Sequence, residues 1–119
     1  MSSVDMDGWE DYTRITEETA VYPSGDETEA ILYCTLGLSG EVGEVVDVVK
    51  KQWRKQGFLY SKDSQFKAKL IDELGDVMWY MAQLMWNAHI DIDDVIKNNV
   101  KKLQERKNAG TLKERPAND

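Results

Sequence analysis

Apolar residues recur at helical spacing along most of this chain. Residues 8–20, 26–56 and 65–88, and the stretch from Asp91 to about Asn108, each place apolar side chains three or four positions apart, which is typical of helices with one core-facing side. The second stretch repeats at Leu38, Val42, Val45, Val49 and Trp53. The third repeats at Leu70, Leu74, Val77, Met81, Leu84 and Met85. With no convincing strand pattern, the sequence predicts an all-α fold, a bundle of four to five helices.

Local signals bound these helices. Gly57 ends the second helix, because glycine readily adopts the left-handed conformation of a helix C-terminus, and Gly110 closes the last one. Ser61 or Ser64 is the candidate N-cap of the third helix, and Asp91 is the candidate N-cap of the fourth. These signals keep the connection between the second and third helices short.

The length of the chain suits one domain. We expect residues 1–119 to form a single domain, since a chain of 119 residues is long enough for one core and too short for two. Residues 1–25 would contain the N-terminal helix and a loop. Residues 109–119 would form a mobile tail.

The second predicted helix is long for such a domain. Unbroken, residues 26–56 would run about 46 Å, whereas the expected radius of gyration is about 14 Å. Gly37, Gly40 and Gly43 interrupt this stretch, and each costs about 1 kcal/mol relative to alanine inside a helix. Either the helix breaks near Gly37–Gly40, or a partner subunit covers its excess length. The spacing of three also suggests a smooth stripe where another backbone comes close.

Charge and composition exclude several classes of function. The formal net charge of −7 argues against binding to nucleic acid or to an anionic membrane, because either would need a basic face. No apolar run approaches the roughly 18 residues that span a membrane. The first residues lack a secretory signal, so we expect a cytoplasmic protein. Cys34, the single cysteine, lies in an apolar stretch and is expected to be a buried small hydrophobe. The single histidine, His89, excludes a site that needs two imidazoles.

Two acidic pairs carry the candidate chemistry. Glu41 and Glu44 share a helix face, and so do Glu73 and Asp76, because each pair is three residues apart. Each pair borders an apolar stripe, so packing of the stripes would bring four mutually repelling carboxylates together. A divalent cation would remove this repulsion, and oxygen-only ligands favour magnesium, manganese or calcium. A di-iron bundle would need Glu-x-x-His motifs, which the chain lacks. The alternative is that the acids are solvated helix surface; Asp47 and Asp72 fit either interpretation.

These motifs resemble a known family. LSGEVGEVVDVVKK at 38–51 and LIDELGDVMWYM at 70–81 are similar to the MazG-like all-α nucleoside triphosphate pyrophosphohydrolases, which carry Glu-x-x-Glu and then Glu-x-x-Asp. Here 28 residues separate the two motifs, at the long end of the family's gaps. Asn99-x-x-Lys102-Leu103-x-x-Arg106 resembles the family's C-terminal element, and the resemblance spans roughly residues 29–108.

The resemblance implies roles for individual residues. Glu41, Glu44, Glu73 and Asp76 would bind Mg²⁺, with Mn²⁺ as the alternative, and would form the catalytic centre that splits the α–β linkage of a nucleoside triphosphate. Which carboxylate is the general base stays open. The phosphates would be held by Lys51, Asn99, Lys102 and Arg106, with Lys50 or Arg54 as alternatives to Lys51. Tyr80 and Trp53 are the candidates for stacking on the nucleobase, against the alternative that both are core residues.

The leading hypothesis is therefore magnesium-dependent hydrolysis of (deoxy)nucleoside triphosphates to monophosphate and pyrophosphate, in control of nucleotide pools. A pyrimidine deoxynucleotide is the favoured substrate. The alternatives are a phosphoribosyl-ATP pyrophosphohydrolase and a non-catalytic helical dimerisation or regulatory module. The resemblance also implies a homodimer or homotetramer, with helices packed across subunits.

Overall fold

The described part of the chain is helical. The structure, a computed structural model, describes residues 8–22, 25–57 and 63–111. Within these ranges it contains four helices and no strand, which confirms the all-α prediction. The helices are α1 (Gly8–Glu18), α2 (Glu27–Gln56), α3 (Ser64–Asn87) and α4 (Ile92–Asn108). None of the described helices combines the length and apolar character that a membrane crossing requires.

Helix α2 runs without interruption through all three of its glycines. The alternative of a break near Gly37–Gly40 is therefore wrong. Its ends are well terminated: the Asp26 side chain accepts a hydrogen bond from the Glu29 amide at 2.7 Å, and Gly57 closes the helix with φ at 74°. Packing against α3 along the helix offsets the low helix propensity of the glycines.

Helix α3 begins one residue before the predicted start. Asp63 is its N-cap, and its carboxylate accepts from the amides of Gln65 at 3.0 Å and Phe66 at 3.1 Å. The prediction of Ser64 as the cap is wrong, because the adjacent carboxylate is a charged acceptor at the positive end of the helix dipole. The other candidate, Ser61, lies outside the described residues. In α4 the predicted cap Asp91 is confirmed, with its side chain accepting from the Asp93 amide.

Helices α2 and α3 pack as antiparallel neighbours. Three contacts fix their register: Cys34 with Asn87, Gly37 with Tyr80, and Gln52 with Asp63. Residue numbers rise along one helix as they fall along the other. This register places residues 41–44 of α2 opposite residues 73–76 of α3.

A network of side-chain hydrogen bonds links the N-terminal segment to α3. Its members are Thr16, Tyr22, Gln83 and Asn87, and Gln83 is only 1% exposed. The Gln83 amide donates to the Thr16 hydroxyl at 2.9 Å, while its carbonyl accepts from the Tyr22 hydroxyl at 2.8 Å. Asn87 donates to the same tyrosine oxygen at 2.7 Å. Burial, assisted by the neighbouring Cys34, raises the pKa of Tyr22 to about 12.

The apolar core of the described residues is small. Its buried hydrophobic members are Ala30, Cys34, Phe66, Ala82 and Met85, so the expected burial of Cys34 is confirmed. Four residues of the predicted core faces are instead exposed: Val42 by 46%, Trp53 by 58%, Leu74 by 47% and Met81 by 37%. Helical spacing identifies an apolar stripe, but it does not determine whether another part of the same chain covers it.

The chain separates into two compact units. The first is Met1–Ala88, with α1 to α3, and the second is His89–Asp119, with α4. That residues 1–119 form one domain stays a prediction. The predicted tail falls largely on residues 112–119, and the first loop on residues 23–24, which lie outside the described residues.

Candidate metal centre

Three carboxylates meet where the middle of α2 packs on α3. Each of Glu41, Glu73 and Asp76 offers an oxygen within 4.8 Å of the other two. The antiparallel register produces this meeting, since it sets both acidic motifs at the same level of the two helices. Glu41 and Glu73 are half-buried and Asp76 is exposed, so the cluster, which we call the acidic centre, is open to solvent on one side.

Ionisation of two carboxylates in the acidic centre is disfavoured, and their pKa values are raised. Burial is the largest cause that raises the pKa of Glu41, followed by the charges of Asp76 and Glu44. The pKa of Glu73 is raised in the same way, by burial first and then by Asp76 and Glu44. Like charges and partial burial therefore both disfavour the ionised carboxylates, and a bound divalent cation would reverse both effects.

Glu44, the fourth acid of the motif, stands at the edge of this cluster. Its side chain is exposed and lies outside the group of three. Its charge nevertheless acts on both Glu41 and Glu73. The structure thus brings three predicted ligands together, with the fourth beside them, while their catalytic roles stay predictions.

A groove continues from the acidic centre along the α2–α3 seam. It encloses about 400 Å³ and opens beside Glu44 and Glu73. Its lining carries both charges, with three lysines and five carboxylates: Lys51, Lys55 and Lys69, and Glu44, Asp47, Asp63, Asp72 and Glu73. Lys51, a predicted phosphate ligand, lies 2.7 Å from Asp47, and this contact raises the pKa of Lys51 and lowers that of Asp47.

Tyr80 lies on the other side of the acidic centre. Its ring occupies the space where a Cβ on Gly37 would sit, so the glycine allows the ring to lie against the α2 backbone. Tyr80 also contacts Tyr33, with ring centroids 6.4 Å apart, and Trp79, with centroids 5.0 Å apart. The pKa of Tyr80 is raised by burial first, then by Tyr33, with a smaller contribution from the charge of Glu41.

At Gly37, the absence of a Cβ makes room for the ring of Tyr80 rather than for another backbone. Within the described ranges, a Cβ at Gly40 or at Gly43 would meet nothing within 4 Å. The hypothesis of close backbone approach is not what is found at Gly37, where an aromatic ring of the same chain fills the gap.

Comparison with known proteins identifies the family. The family model of the MazG nucleotide pyrophosphohydrolase domain matches residues 30–111. The chain belongs to this family. The match includes both acidic motifs and continues through α4, so the family predicted by resemblance is confirmed.

The MazG-family chain is also similar to a phage protein. It is 38% identical over 104 residues to the protein called "Gene 37 protein" of Mycobacterium phage L5, and the similarity covers 85% of this chain and 90% of the phage protein. That name specifies no activity, so the similarity supports the common architecture without adding a substrate.

Trp53 stands apart from the acidic centre. It lies twelve residues beyond Glu41 on α2, which corresponds to about 18 Å along the helix. Its side chain is largely exposed, so it is not packed as a core residue in this unit of the MazG-family chain. Its role in base binding stays a prediction, as does that of Tyr80.

The remaining predicted phosphate ligands belong to α4, in the second unit. Asn99, Lys102 and Arg106 follow each other at intervals of three and four residues, which sets them on one helix face. Lys102 and Arg106 line a shallow hollow of about 280 Å³ together with Thr111. This arrangement presents two cations side by side near the end of α4, and their binding to phosphate stays a prediction.

Two neighbours of the acidic motifs are missed by the sequence analysis. The hydroxyl of Tyr12 donates to the Gly75 carbonyl at 3.4 Å, and its pKa is raised by burial first and then by the charge of Asp76. Tyr12 reads as a core position of α1, and only the packing of α1 on α3 reveals its location. Lys69 is detectable in principle, because it lies one helical turn before Glu73.

Proposed function

We propose that this chain is a magnesium-dependent nucleoside triphosphate pyrophosphohydrolase. The observation that carries the proposal is the meeting of Glu41, Glu73 and Asp76 within 4.8 Å in a member of a pyrophosphohydrolase family. In this proposal Glu44 completes the ligand set, since its long exposed side chain lies beside the other acids. The protein would act on nucleotide pools in the cytoplasm.

The chemistry of the donor set fits a hard divalent cation. All of the donors are carboxylate oxygens, which suit Mg²⁺ and also Mn²⁺. The only cysteine, Cys34, is buried away from solvent, so a thiolate site for a soft metal is not supported. Burial first, and then the charges of neighbouring acids, raises the pKa of Glu41 and Glu73, and such a cation would offset both penalties.

The reaction balances as a simple hydrolysis. Glu41, Glu44, Glu73 and Asp76 would hold a divalent cation, which would supply charge neutralisation on the phosphates and a lowered pKa for water. One of these carboxylates accepts a proton from the attacking water. The water oxygen bonds to a phosphorus of the α–β linkage as the bridging P–O bond breaks, and the electron pair of that bond leaves on the departing phosphate oxygen. The products are nucleoside monophosphate, pyrophosphate and one proton.

Further residues hold the rest of the nucleotide in this proposal. Lys51 and the α4 residues Asn99, Lys102 and Arg106 bind the phosphates. Tyr80 stacks on the base, because its ring lies against Gly37 and near enough to Glu41 for that charge to contribute, after burial and Tyr33, to raising its pKa. Trp53 is a second candidate for the base. A pyrimidine deoxynucleotide is the proposed substrate.

We also propose a homodimer or homotetramer. Large apolar side chains are exposed along both long helices, including Leu36 and Val46 on α2 and Ile71 and Met78 on α3. Their number exceeds that of the buried hydrophobic residues, which suggests that a second copy covers part of this surface. Light scattering is expected to give at least twice the monomer mass, and a monomer at micromolar concentration would contradict the assembly.

A nucleotide panel tests the function. Purified protein is incubated with individual nucleoside triphosphates, dNTPs and phosphoribosyl-ATP in millimolar magnesium, and pyrophosphate release is measured. Glu41→Gln and Asp76→Asn are expected to abolish release while keeping the helicity measured by circular dichroism. The matched control is Glu10→Gln, which removes an exposed carboxylate on α1. Full activity in both site variants, or an inert wild type, would contradict the proposal, and selective turnover of phosphoribosyl-ATP would replace the substrate.

A further inference from the structure

Helix α1 contributes a side chain to the surroundings of the acidic centre. The match to the family model begins at residue 30, so α1 precedes it in the chain. Helix α1 nevertheless packs on α3, the helix that carries Glu73 and Asp76. At this contact the hydroxyl of Tyr12 lies 3.4 Å from the carbonyl oxygen of Gly75, the residue directly before Asp76. A residue outside the matched domain thus reaches the acidic motif of α3.

Asp76 differs from Glu41 and Glu73 in how its side chain is held. The two glutamates are half-buried, whereas Asp76 is exposed. An exposed side chain samples several rotamers, and fixing one of them costs conformational entropy. Carboxylates that bind a metal are commonly hydrogen-bonded by a second residue, which orients them and reduces that cost. Asp76 is therefore the acid of this centre for which such a donor matters most.

The Tyr12 hydroxyl has the position of such a donor. Its contact with the Gly75 carbonyl is longer than the roughly 2.7–2.8 Å that is typical of a hydroxyl donor, so the carbonyl holds the proton weakly. The charge of Asp76 is near enough to contribute, after burial, to raising the pKa of Tyr12. One oxygen of Asp76 completes the cluster with Glu41 and Glu73, which leaves the second oxygen as an acceptor. A charged acceptor forms a stronger hydrogen bond than a carbonyl does.

Other side chains join α1 and its C-terminal end to α3 independently of this hydroxyl. The Thr16 hydroxyl accepts a hydrogen bond from the Gln83 amide at 2.9 Å, and the Thr19 hydroxyl accepts one from the Trp79 indole at 2.8 Å. Both hydrogen bonds are shorter than the contact between Tyr12 and Gly75. The Tyr12 hydroxyl is therefore not what holds the two helices together.

Building on the proposed function, we propose that Tyr12 is a positioning residue for the metal centre. Its hydroxyl donates to the Asp76 carboxylate and orients it toward Glu41 and Glu73. A tyrosine hydroxyl is protonated at neutral pH, so Tyr12 acts through Asp76 and is not itself a ligand. Helix α1 then belongs to the site although it precedes the residues that the family model matches.

Titration of the metal-free protein with manganese tests this role without turnover. Isothermal titration calorimetry compares wild type with Tyr12→Phe, which keeps the ring and removes the hydroxyl. The matched control is Thr19→Val, which removes the hydrogen bond from the Trp79 indole. We expect Tyr12→Phe to weaken manganese binding about tenfold, as the loss of an outer hydrogen-bond partner does, with little change in melting temperature. Thr19→Val should lower the melting temperature and keep the wild-type affinity.

The outcomes separate this role from packing and from the proposed function. Wild-type affinity in Tyr12→Phe overturns the role, and so does an equal loss of affinity in Thr19→Val, which would assign the effect to the packing of α1. A larger drop in melting temperature in Tyr12→Phe than in Thr19→Val also overturns it. No manganese binding by wild type overturns it together with the cation site. If wild type hydrolyses no nucleotide but Tyr12→Phe alone weakens manganese binding, the proposed function fails and the positioning of Asp76 stands.

Discussion

Two polar clusters lie along α3. One pairs its polar groups by hydrogen bonds within the protein, whereas the other brings groups of like charge together. The network of Thr16, Tyr22, Gln83 and Asn87 is neutral and is buried at Thr16 and Gln83, and each member has a hydrogen-bond partner at 2.7–2.9 Å. The acidic centre, about two turns earlier, gathers like charges and leaves them open to solvent. Fully paired neutral groups stabilise a fold, whereas a repelling set of charges is retained for what it binds. We therefore expect the network near the end of α3 to contribute to stability, and the acidic centre in the middle of α3 to contribute to the proposed function.

The largest expected effect comes from neutralising the acidic centre. Glu73→Gln should lower pyrophosphate release at least about a hundredfold, which corresponds to about 3 kcal/mol in the activation barrier. It should not lower the melting temperature of the metal-free protein, because it removes a charge that its neighbours disfavour. Steady-state kinetics and thermal melts measure the two quantities. Loss of stability together with activity would make Glu73 a structural residue and remove the contrast between the clusters.

Breaking the neutral network should have the reverse result. Gln83→Leu leaves the Tyr22 hydroxyl without its acceptor and the Thr16 hydroxyl without its donor, and we expect a loss of about 2–3 kcal/mol in the free energy of unfolding. Turnover by the fraction that stays folded should change little. Urea denaturation measures the stability, with Gln104→Leu on the exposed surface of α4 as the control. An unchanged free energy of unfolding in Gln83→Leu would mean that the network does not stabilise the fold.

Two glycine substitutions on α2 test whether Tyr80, which lies between the two clusters on α3, contacts the substrate. Gly37→Ala places a methyl group in the ring of Tyr80, so the ring has to move. If Tyr80 holds the base, KM should rise roughly tenfold, a loss of about 1.4 kcal/mol in binding. Gly40→Ala enters open space and should stabilise α2 by up to about 1 kcal/mol with unchanged KM. Equal KM values for the two variants would disconnect Tyr80 from the substrate.

The smallest expected effect is on the pH dependence of stability. The folded-state pKa values of Glu41 and Glu73 lie above their ordinary values, so at these two sites the folded protein binds more protons than the unfolded chain. Without a divalent cation, their contribution to stability should therefore fall as the pH rises through the ordinary glutamate pKa toward the raised values, and stay lower at neutral pH. The lowered pKa values of Asp47 and Asp63 act in the opposite direction, so the effect is measured as the difference between wild type and Glu73→Gln. Thermal melts between pH 4 and 7 measure this, with and without magnesium. Magnesium should raise the melting temperature at pH 7, and the same pH dependence in wild type and Glu73→Gln without the ion would contradict the raised pKa of Glu73.

The sequence predicts the elements well because their signals are local. The helical period, the caps at Asp91 and Gly57 and the i,i+3 spacing of the acids all depend on neighbours within a turn or two. The fold class follows from these signals, whereas the family follows from the resemblance of the motifs at 38–51 and 70–81 to those of known members. The continuity of α2 does not, since the glycine penalty at Gly40 or Gly43 is opposed by packing against α3, which the sequence does not reveal.

Features that depend on tertiary register are the ones the sequence misses. Val42 and Leu74 carry the apolar spacing of a core face, yet both remain exposed on this chain. Gln83 reads as a polar interruption of α3, and its burial depends on Thr16, 67 residues away. Tyr12 gains its position beside Asp76 only when α1 packs on α3. The meeting of three of the four predicted acids was thus predictable from the sequence, whereas the residues around them were not.

Binding of manganese tests the central claim most directly. Electron paramagnetic resonance of free Mn²⁺ reports how much of the ion each protein removes from solution, without any turnover. We predict that wild type and the Glu10→Gln control bind the ion and that magnesium displaces it. Asp76→Asn should leave it free. Equal binding by wild type and Asp76→Asn, or no binding by either, would contradict a cation site formed by these acids.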